Sequence, residues 1–481
     1  MSLKVRPTPV RAGVRLVSTM AERTAARTVV PRGLLTRVPV AARRVSMMVA
    51  PIAVRAELSG PVTDAGAPEQ GVPASVYSDS TALGQLVGPD AELFATRHWG
   101  REPLLSRAAD AIGPTGLLDL DDIDELLSCR GLRAPFLRVV RDGAVVDSAD
   151  FTGSGGVGAE IGDQVRDERV AALFSEGATL VLQGLHRTWS TVMDFCTELA
   201  GELAHPVQAN AYVTPPQSQG FAAHYDVHDV FVMQVAGRKH WRIHTPVHTD
   251  PLRNQPWEMH RDCVTARARD DEPAIDTVLE PGDVLYLPRG WLHAATALGG
   301  VSAHLTIGVH VITRFALVEA LVALLDDDER LRVSLPLGLD VADPAALAGH
   351  LDVVRETLAD AVASVPVEAV AGRVRERVWT GSRPEPVRPI NGSLFLHDLG
   401  PADTVRRRGG LRYRLTTVDD GLMLELADRK IQLPAVTGPA LRALLGGAAQ
   451  RVGRLPGLGE DDGVVLVRRL LREGVLVPAT R

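Results

Sequence analysis

Along this chain the spacing of apolar residues changes from one region to the next, and each spacing predicts an element. From 81 to about 135 the apolar positions recur at helical intervals, in "ELFATRHWGREPLLSR" and "LLDLDDIDELLSCRG". From 136 to 310 they gather in short β-branched runs parted by Gly and Pro turns: "FLRVVRDG", "ATLVLQG", "ANAYVTPPQ", "VFVMQVAGR", "HWRIH", "DVLYLPRG" and "HLTIGVHVI". One helix, roughly Trp189–Leu203, interrupts them. Many short strands with such turns predict a sandwich or barrel. Helical spacing returns at 314–380, where Leu347, Leu351, Val354, Leu358 and Val362 form a stripe behind an Asp343 cap and a first-turn Pro344. "SRPEPVRP" at 382–389 reads as a linker. The last ninety residues mix strands ("LRYRLTT", "LMLELA", "KIQLP", "VLVP") with two helices, "GPALRALLG" and "DDGVVLVRRLLREG", the second stopped by Gly474. That order suggests a winged-helix-like module. Residues 1–80 show no hydrophobic period, and 58–80 read as a Gly/Pro/Ser linker.

Composition sharpens this picture in three places. A length of 481 residues calls for two to four domains, with ordinary globular composition. Cys129, Cys196 and Cys263 stand far apart, which argues for a reducing, cytoplasmic setting over a disulfide scaffold. No apolar run reaches the roughly 18 residues of a membrane span. Residues 1–56 hold eleven Lys/Arg and one acid, Glu22, so the other 425 residues carry 41 basic and 58 acidic groups. The start resembles a transit peptide or a start codon set too early, with Met20, Met47 or Met48 as the alternative beginning. The acidic body favours a basic partner or serves solubility. Lysine is rare: Lys4, Lys239 and Lys430 stand against 49 arginines.

Residues 224–229 read "HYDVHD". On a helix His224 and His228 would share a face; on a strand His224, Asp226 and His228 would. The apolar run Val230–Val235 that follows is strand-like, and Ala236–Gly237 reads as the turn of a hairpin, so the helical alternative falls away. His224 and Asp226 then point the same way at a strand mouth. An iron held on one face needs a third ligand. His293 stands out, because "EPGDVLYLPRGWLHAATAL" delivers it by a turn to the start of a strand, about 70 residues on. Two histidines and one carboxylate leave positions open for a bidentate cosubstrate and dioxygen. His228 is read as a neighbouring or surface group. His240, His244, His248 and His260 are read as surface or substrate-side, and His304 and His310 as satisfied core groups.

"NAYVTPPQSQGFAAHYDVHDVFVMQVAGRKHWRIH" and "EPGDVLYLPRGWLHAATA...SAHLTIG" resemble the JmjC-type cupin oxygenases of the ribosomal oxygenase family, and "FATRHWGREPLLSR" is similar to the segment that opens their catalytic domain. The likeness covers about 85 to 481. It implies a mainly β double-stranded β-helix (cupin) with flanking helices, then an α-helical dimerisation domain and a winged-helix-like domain. The boundaries that follow are a disordered basic extension and linker at 1–80, a catalytic domain at 81–313, a dimerisation domain at 314–385 and the winged-helix-like domain at 386–481. The resemblance further implies an Fe(II)- and 2-oxoglutarate-dependent protein hydroxylase using O₂, with His224, Asp226 and His293 on the iron. Lys239, fifteen positions after His224, matches the residue that pairs with the distal carboxylate of 2-oxoglutarate. Asn210, Tyr212 and Thr306 match polar cosubstrate contacts. Relatives often carry a hydroxyl residue soon after "LTI"; Gly308 stands there in this chain, so any contact from that position is lost.

The expected substrate is a basic ribosomal-protein segment, hydroxylated on His or Arg, and the expected assembly is a homodimer. A second enzyme reading is hydroxylation of a small peptide or metabolite. A third, of another class, is a non-catalytic nucleic-acid- or ribosome-binding protein, supported only by "VRRRGGLRYR" at 405–414. Direct nucleic-acid binding and membrane association are not expected.

Overall fold

A computed structural model describes residues 81–479, apart from 90, 109–115, 142, 159, 217, 219, 220 and 420. The expected basic extension at 1–80 lies outside the described residues. Nine strands make the main sheet: β1 (Leu104–Ser106), β2 (Leu137–Arg141), β3 (Ala144–Val145), β4 (Thr179–Leu182), β5 (Val207–Thr214), β6 (Asp229–His244), β7 (Ile275–Leu279), β8 (Val284–Leu287) and β9 (Leu292–Val309). Their order is β1-β8-β6-β9-β5-β4-β2-β3, with β7 also on β6, and every pairing is antiparallel.

Strand alternation builds two cores from one sheet. Along β5, Ala209, Ala211 and Val213 are buried against the flanking helices, while Gln208, Asn210, Tyr212 and Thr214 take the opposite face. Phe231, Met233, Leu305 and Ile307 join the helix-side core. Val192, Phe195 and Leu199, three and four residues apart on helix Ser190–Leu203, pack onto it. On the other face, Val230, Val232, Trp241, Ile243, Leu285 and Leu287 fill the interior of the cupin. The expected cupin with flanking helices is therefore the fold observed.

Two local expectations need correction. No hairpin turn occurs at Ala236–Gly237: Asp229–His244 is a single strand. Gly237 has φ +62°, the conformation that reads as a turn, yet it serves a bulge. Between Arg238 and Ala236 the partner strand advances from Leu298 to Ala303, and a Cβ on Gly237 would meet the Val301 carbonyl oxygen at 2.1 Å. Secondly, the helical reading of 92–107 holds only for its first half. A turn at Ala91–Leu93 continues as a π-helical turn over Phe94–His98; Gly100 (φ +66°) and Pro103 then break it, and β1 pairs with β8.

Beyond the sheet lie helices Arg314–Ala323, Glu329–Arg332, Pro344–Ser364 and Val367–Gly381. Asp343 caps the third as expected, its side chain accepting from the Ala345 N–H, with Pro344 in the first turn. Residues 382–388 have no regular structure but are pinned, because Glu385 accepts two hydrogen bonds from Arg406, each 2.7 Å, and one from the Gly409 N–H. The C-terminal part has helices Pro389–Asp398, Gly438–Leu445 and Glu460–Arg472 around their own core of Leu441, Leu444, Val467 and Leu470. A sheet of Thr404–Arg407, Gln450–Arg451 and Leu476–Pro478 closes it. Arg414–Val418, Gly421–Glu425 and Lys430–Pro434 form a second three-stranded sheet.

Candidate metal and cosubstrate site

One backbone bridge assembles the candidate metal centre. His224, in the loop before β6, and His293, at the start of β9, exchange both backbone hydrogen bonds: His224 N–H to His293 O at 3.2 Å and the reverse at 2.8 Å. That pairing brings their rings to 4.4 Å between centroids. Asp226 follows two residues later, its Oδ2 lying 3.7 Å from His293 Nε2. One donor atom from each of the three lies within 4.8 Å of the others, the only such trio among the described residues. His228 takes no part in it.

The protonation pattern suits a metal. His224 Nδ1 donates to the Ala222 carbonyl at 2.8 Å, and His293 Nδ1 to the Trp291 carbonyl at 3.1 Å. A carbonyl only accepts, so each Nδ1 carries a hydrogen, and Nε2 is the ring atom left to meet an ion. Burial, aided by the neighbouring His224, pushes the His293 imidazole down to about 4, so it is neutral. Burial opposes ionisation of Asp226, but His228, His293, His224 and Arg138 around it hold its carboxyl below the usual range. Two imidazoles and one carboxylate on one face match the donor set of non-haem Fe(II) sites.

Lys239 projects from β6 into the interior and is 3% exposed. Its Nζ donates to Thr214 Oγ1 at 3.0 Å and to His304 Nδ1 at 3.2 Å. Among the described residues no carboxylate pairs with it, and burial pushes its pKa down to about 7. A buried amine without a counter-ion is the group an anionic ligand would neutralise. His304 is held well below its ordinary pKa, first by burial and then by Lys239, so it is the acceptor of that pair. Tyr212 stacks on His304 with centroids 4.9 Å apart and planes 1° from parallel.

The polar face of β5 meets β9 residue by residue: Asn210 opposite Thr306, Tyr212 opposite His304, Thr214 opposite Ser302. Asn210, Tyr212 and Thr306 line, with Asp226, a cavity of about 570 Å³ that also touches Arg138, Arg187, His228 and Gly308. Asn210 Oδ1 accepts from the Gly184 N–H at 3.0 Å. Lys239 is not in that wall; its Nζ meets His304, the ring on which Tyr212 stacks. Thr214 and Arg138 are not singled out by sequence reasoning, and His304 is read there as ordinary core. For Thr214 a signal existed, since it shares a strand face with Asn210 and Tyr212. For His304 and Arg138 only the strand register brings them in.

A cupin sheet carrying this trio at its mouth has the donor set of the non-haem iron dioxygenases, and the buried amine in its interior suits an anionic cosubstrate. A JmjC domain family profile matches residues 186–317. Human ribosomal oxygenase 1 is 28% identical over 460 residues, covering 84% of this chain and 68% of the human protein. The Drosophila persimilis bifunctional lysine-specific demethylase and histidyl-hydroxylase NO66 is 30% identical over 275 residues, 55% of this chain and 38% of that protein. Among solved structures, the Escherichia coli ribosomal oxygenase YcfD is similar at 20% identity and a TM-score of 0.48, covering 82% of this chain and 99% of that one. The chain contains a JmjC domain and is homologous to ribosomal oxygenase 1.

Proposed function

We propose that this chain hydroxylates a ribosomal protein, on a histidine rather than an arginine, with Fe(II) held by His224, Asp226 and His293. The observation that carries the reading is the placement of a three-donor metal set and an uncountered buried lysine on the inside of one cupin. A loaded centre of this kind would supply oxidative decarboxylation of 2-oxoglutarate by O₂, one oxygen atom going to succinate as CO₂ leaves and the other into a substrate C–H bond. Lys239 and Thr214 take the distal carboxylate of 2-oxoglutarate. The Tyr212–His304 stack shields that end from water, and Asn210 and Thr306 give polar contacts on the metal side.

The choice of histidine rests on charge. The cavity beside Asp226 has two arginines in its wall, Arg138 and Arg187, and Asp226 is its one carboxylate among the described residues. With that carboxylate committed to the metal, a guanidinium entering there meets like charge and no carboxylate to offset it. A neutral imidazole meets Gln208, Asn210 and Tyr212, which can donate or accept.

Supporting the wider reading, residues 57–481 carry a surplus of acid that complements a basic ribosomal segment. No helix among the described residues is long and apolar enough to cross a membrane, in keeping with a cytoplasmic site of action. We take 81–313 as the catalytic part, 314–385 as a dimerisation part and 386–481 as a winged-helix-like part. The basic stretch at 405–414 gives little support to nucleic-acid binding. Arg406 is held by Glu385, Arg407 lies over the Tyr413 ring and Arg412 donates to the Ala200 carbonyl. Mass spectrometry of ribosomal proteins from cells with and without the gene tests the proposal. One histidine should lose one oxygen in the deletion; a modified arginine, or no change, would overturn the substrate assignment.

A further inference from the structure

Gly308 poses a question that its backbone does not answer. It sits inside β9 with ordinary strand dihedrals, so nothing in the conformation asks for glycine. The requirement comes from a neighbour. A Cβ at 308 would lie 2.6 Å from His228 Cδ2 and 2.7 Å from His228 Nε2, with Gln208 Cγ at 3.3 Å. The imidazole of His228 thus occupies the space that a side chain at 308 would fill.

His228 is held there from its other side. Its ring stacks on His310, with centroids 5.4 Å apart and planes 21° from parallel. His310 is the residue that follows the end of β9, fixed by a backbone hydrogen bond from its N–H to the Pro206 carbonyl at 2.8 Å. Yet His228 makes no hydrogen bond among the described residues, although it is half-buried and lies in the wall of the cavity that Asp226 enters. A half-buried imidazole edge with an open donor and acceptor, facing a cavity two residues from the metal set, is placed to meet whatever polar group enters.

We propose that His228, lodged over Gly308 and backed by His310, is the specificity-determining residue of the substrate pocket. Its imidazole edge hydrogen-bonds the polar side chain of the incoming residue, and Gly308 is glycine so that the ring can lie against the strand and leave the cavity open. The pair acts as a unit: a larger residue at 308 drives the ring into the cavity, and loss of the ring leaves the substrate side chain without a partner. This inference rests on the hydroxylase reading above.

The test compares wild type with Gly308→Ser, His228→Ala and the double variant, all as full-length iron-loaded protein. The substrate is the ribosomal-protein fraction from the deletion strain, and the readouts are kcat and KM for oxygen incorporation together with KM for 2-oxoglutarate. His228→Ala should raise KM for the protein substrate about tenfold, the usual size of one lost hydrogen bond in a polar site. Gly308→Ser should lower kcat/KM at least as far. In the double variant the ring that blocks the pocket is gone and a hydroxyl stands in its place, so kcat/KM should recover above that of Gly308→Ser. A crystal structure of Gly308→Ser should show the His228 ring moved into the cavity. Wild-type kinetics in Gly308→Ser, a double variant no better than that single one, or a His228→Ala effect confined to KM for 2-oxoglutarate would each overturn the proposal. Oxygen incorporation by the wild type reports separately on the proposed function.

Discussion

Asp226 is the one carboxylate in the candidate metal set, and replacing it leaves only two imidazoles for a hard cation. Asp226→Ala should therefore abolish conversion of 2-oxoglutarate to succinate; undiminished turnover would remove the assignment. Lys239 allows a finer test. Lys239→Ala should raise KM for 2-oxoglutarate about ten- to a hundredfold while Fe(II) still binds, since a buried charge-assisted contact contributes roughly 1.5–3 kcal/mol. In the free protein burial pushes this amine down to about 7. A bound carboxylate favours the charged form, so the pKa is raised in the complex. Below pH 7 the amine is already charged and binding takes up no proton. Above it, binding must take one up, so KM for 2-oxoglutarate should climb toward tenfold per pH unit. A flat profile between about pH 6 and 9 would contradict this. At this scale the site was legible where its signal is local: two ligands two residues apart, and a lysine rare enough to notice. His304 is not legible, because its partner Lys239 is reached across strands; Thr214 shares a strand face with Asn210 and Tyr212, but nothing local tells that it meets Lys239.

At the scale of elements, a clamp between β6, β8 and the loop before β9 sets where His293 stands. Asp229, fully buried, accepts from the Tyr286 hydroxyl at 2.6 Å and from the Arg289 N–H at 3.0 Å. Tyr286 in turn accepts from the Gly100 N–H at 2.9 Å, tying in the N-terminal segment. Burial raises the Asp229 carboxyl despite these bonds. Asp229→Ala leaves a buried hydroxyl and a backbone N–H without an acceptor, at about 1–3 kcal/mol each. It also frees the loop that delivers His293. Both the urea midpoint and Fe(II) affinity should fall; a shift in stability with unchanged metal affinity would reduce the clamp to a folding role. The element pattern explains why most strands were legible and one turn was not. Alternation along β5 and the apolar run of β6 are properties of the strand itself. The bulge at Gly237 depends on where β9 loops out opposite it, and a glycine of positive φ reads the same in a turn or a bulge.

For the whole molecule, the helical region after the cupin leaves apolar surface uncovered. The stripe read at 347–362 packs only in part: Leu351 is 45% exposed and Val362 71%, with Phe315 and Leu317 on the first helix similarly open. Periodicity predicted that these residues share a face, but it does not say what lies on that face, and within one chain little does. A second copy would cover it, as we propose for 314–385. Two such copies each bring a body whose residues 57–481 are net acidic, so association works against like charge. The apolar term is insensitive to moderate salt, whereas the repulsion is screened beyond about 8 Å at physiological ionic strength. The dimer should therefore tighten as salt rises, while one held by surface ion pairs would loosen. Light scattering at micromolar concentration should give twice the chain mass. Leu351→Glu with Val354→Glu, which puts charge on the stripe, should give the monomer. A wild-type monomer, or a dimer that dissociates with added salt, would show that this face is covered in some other way.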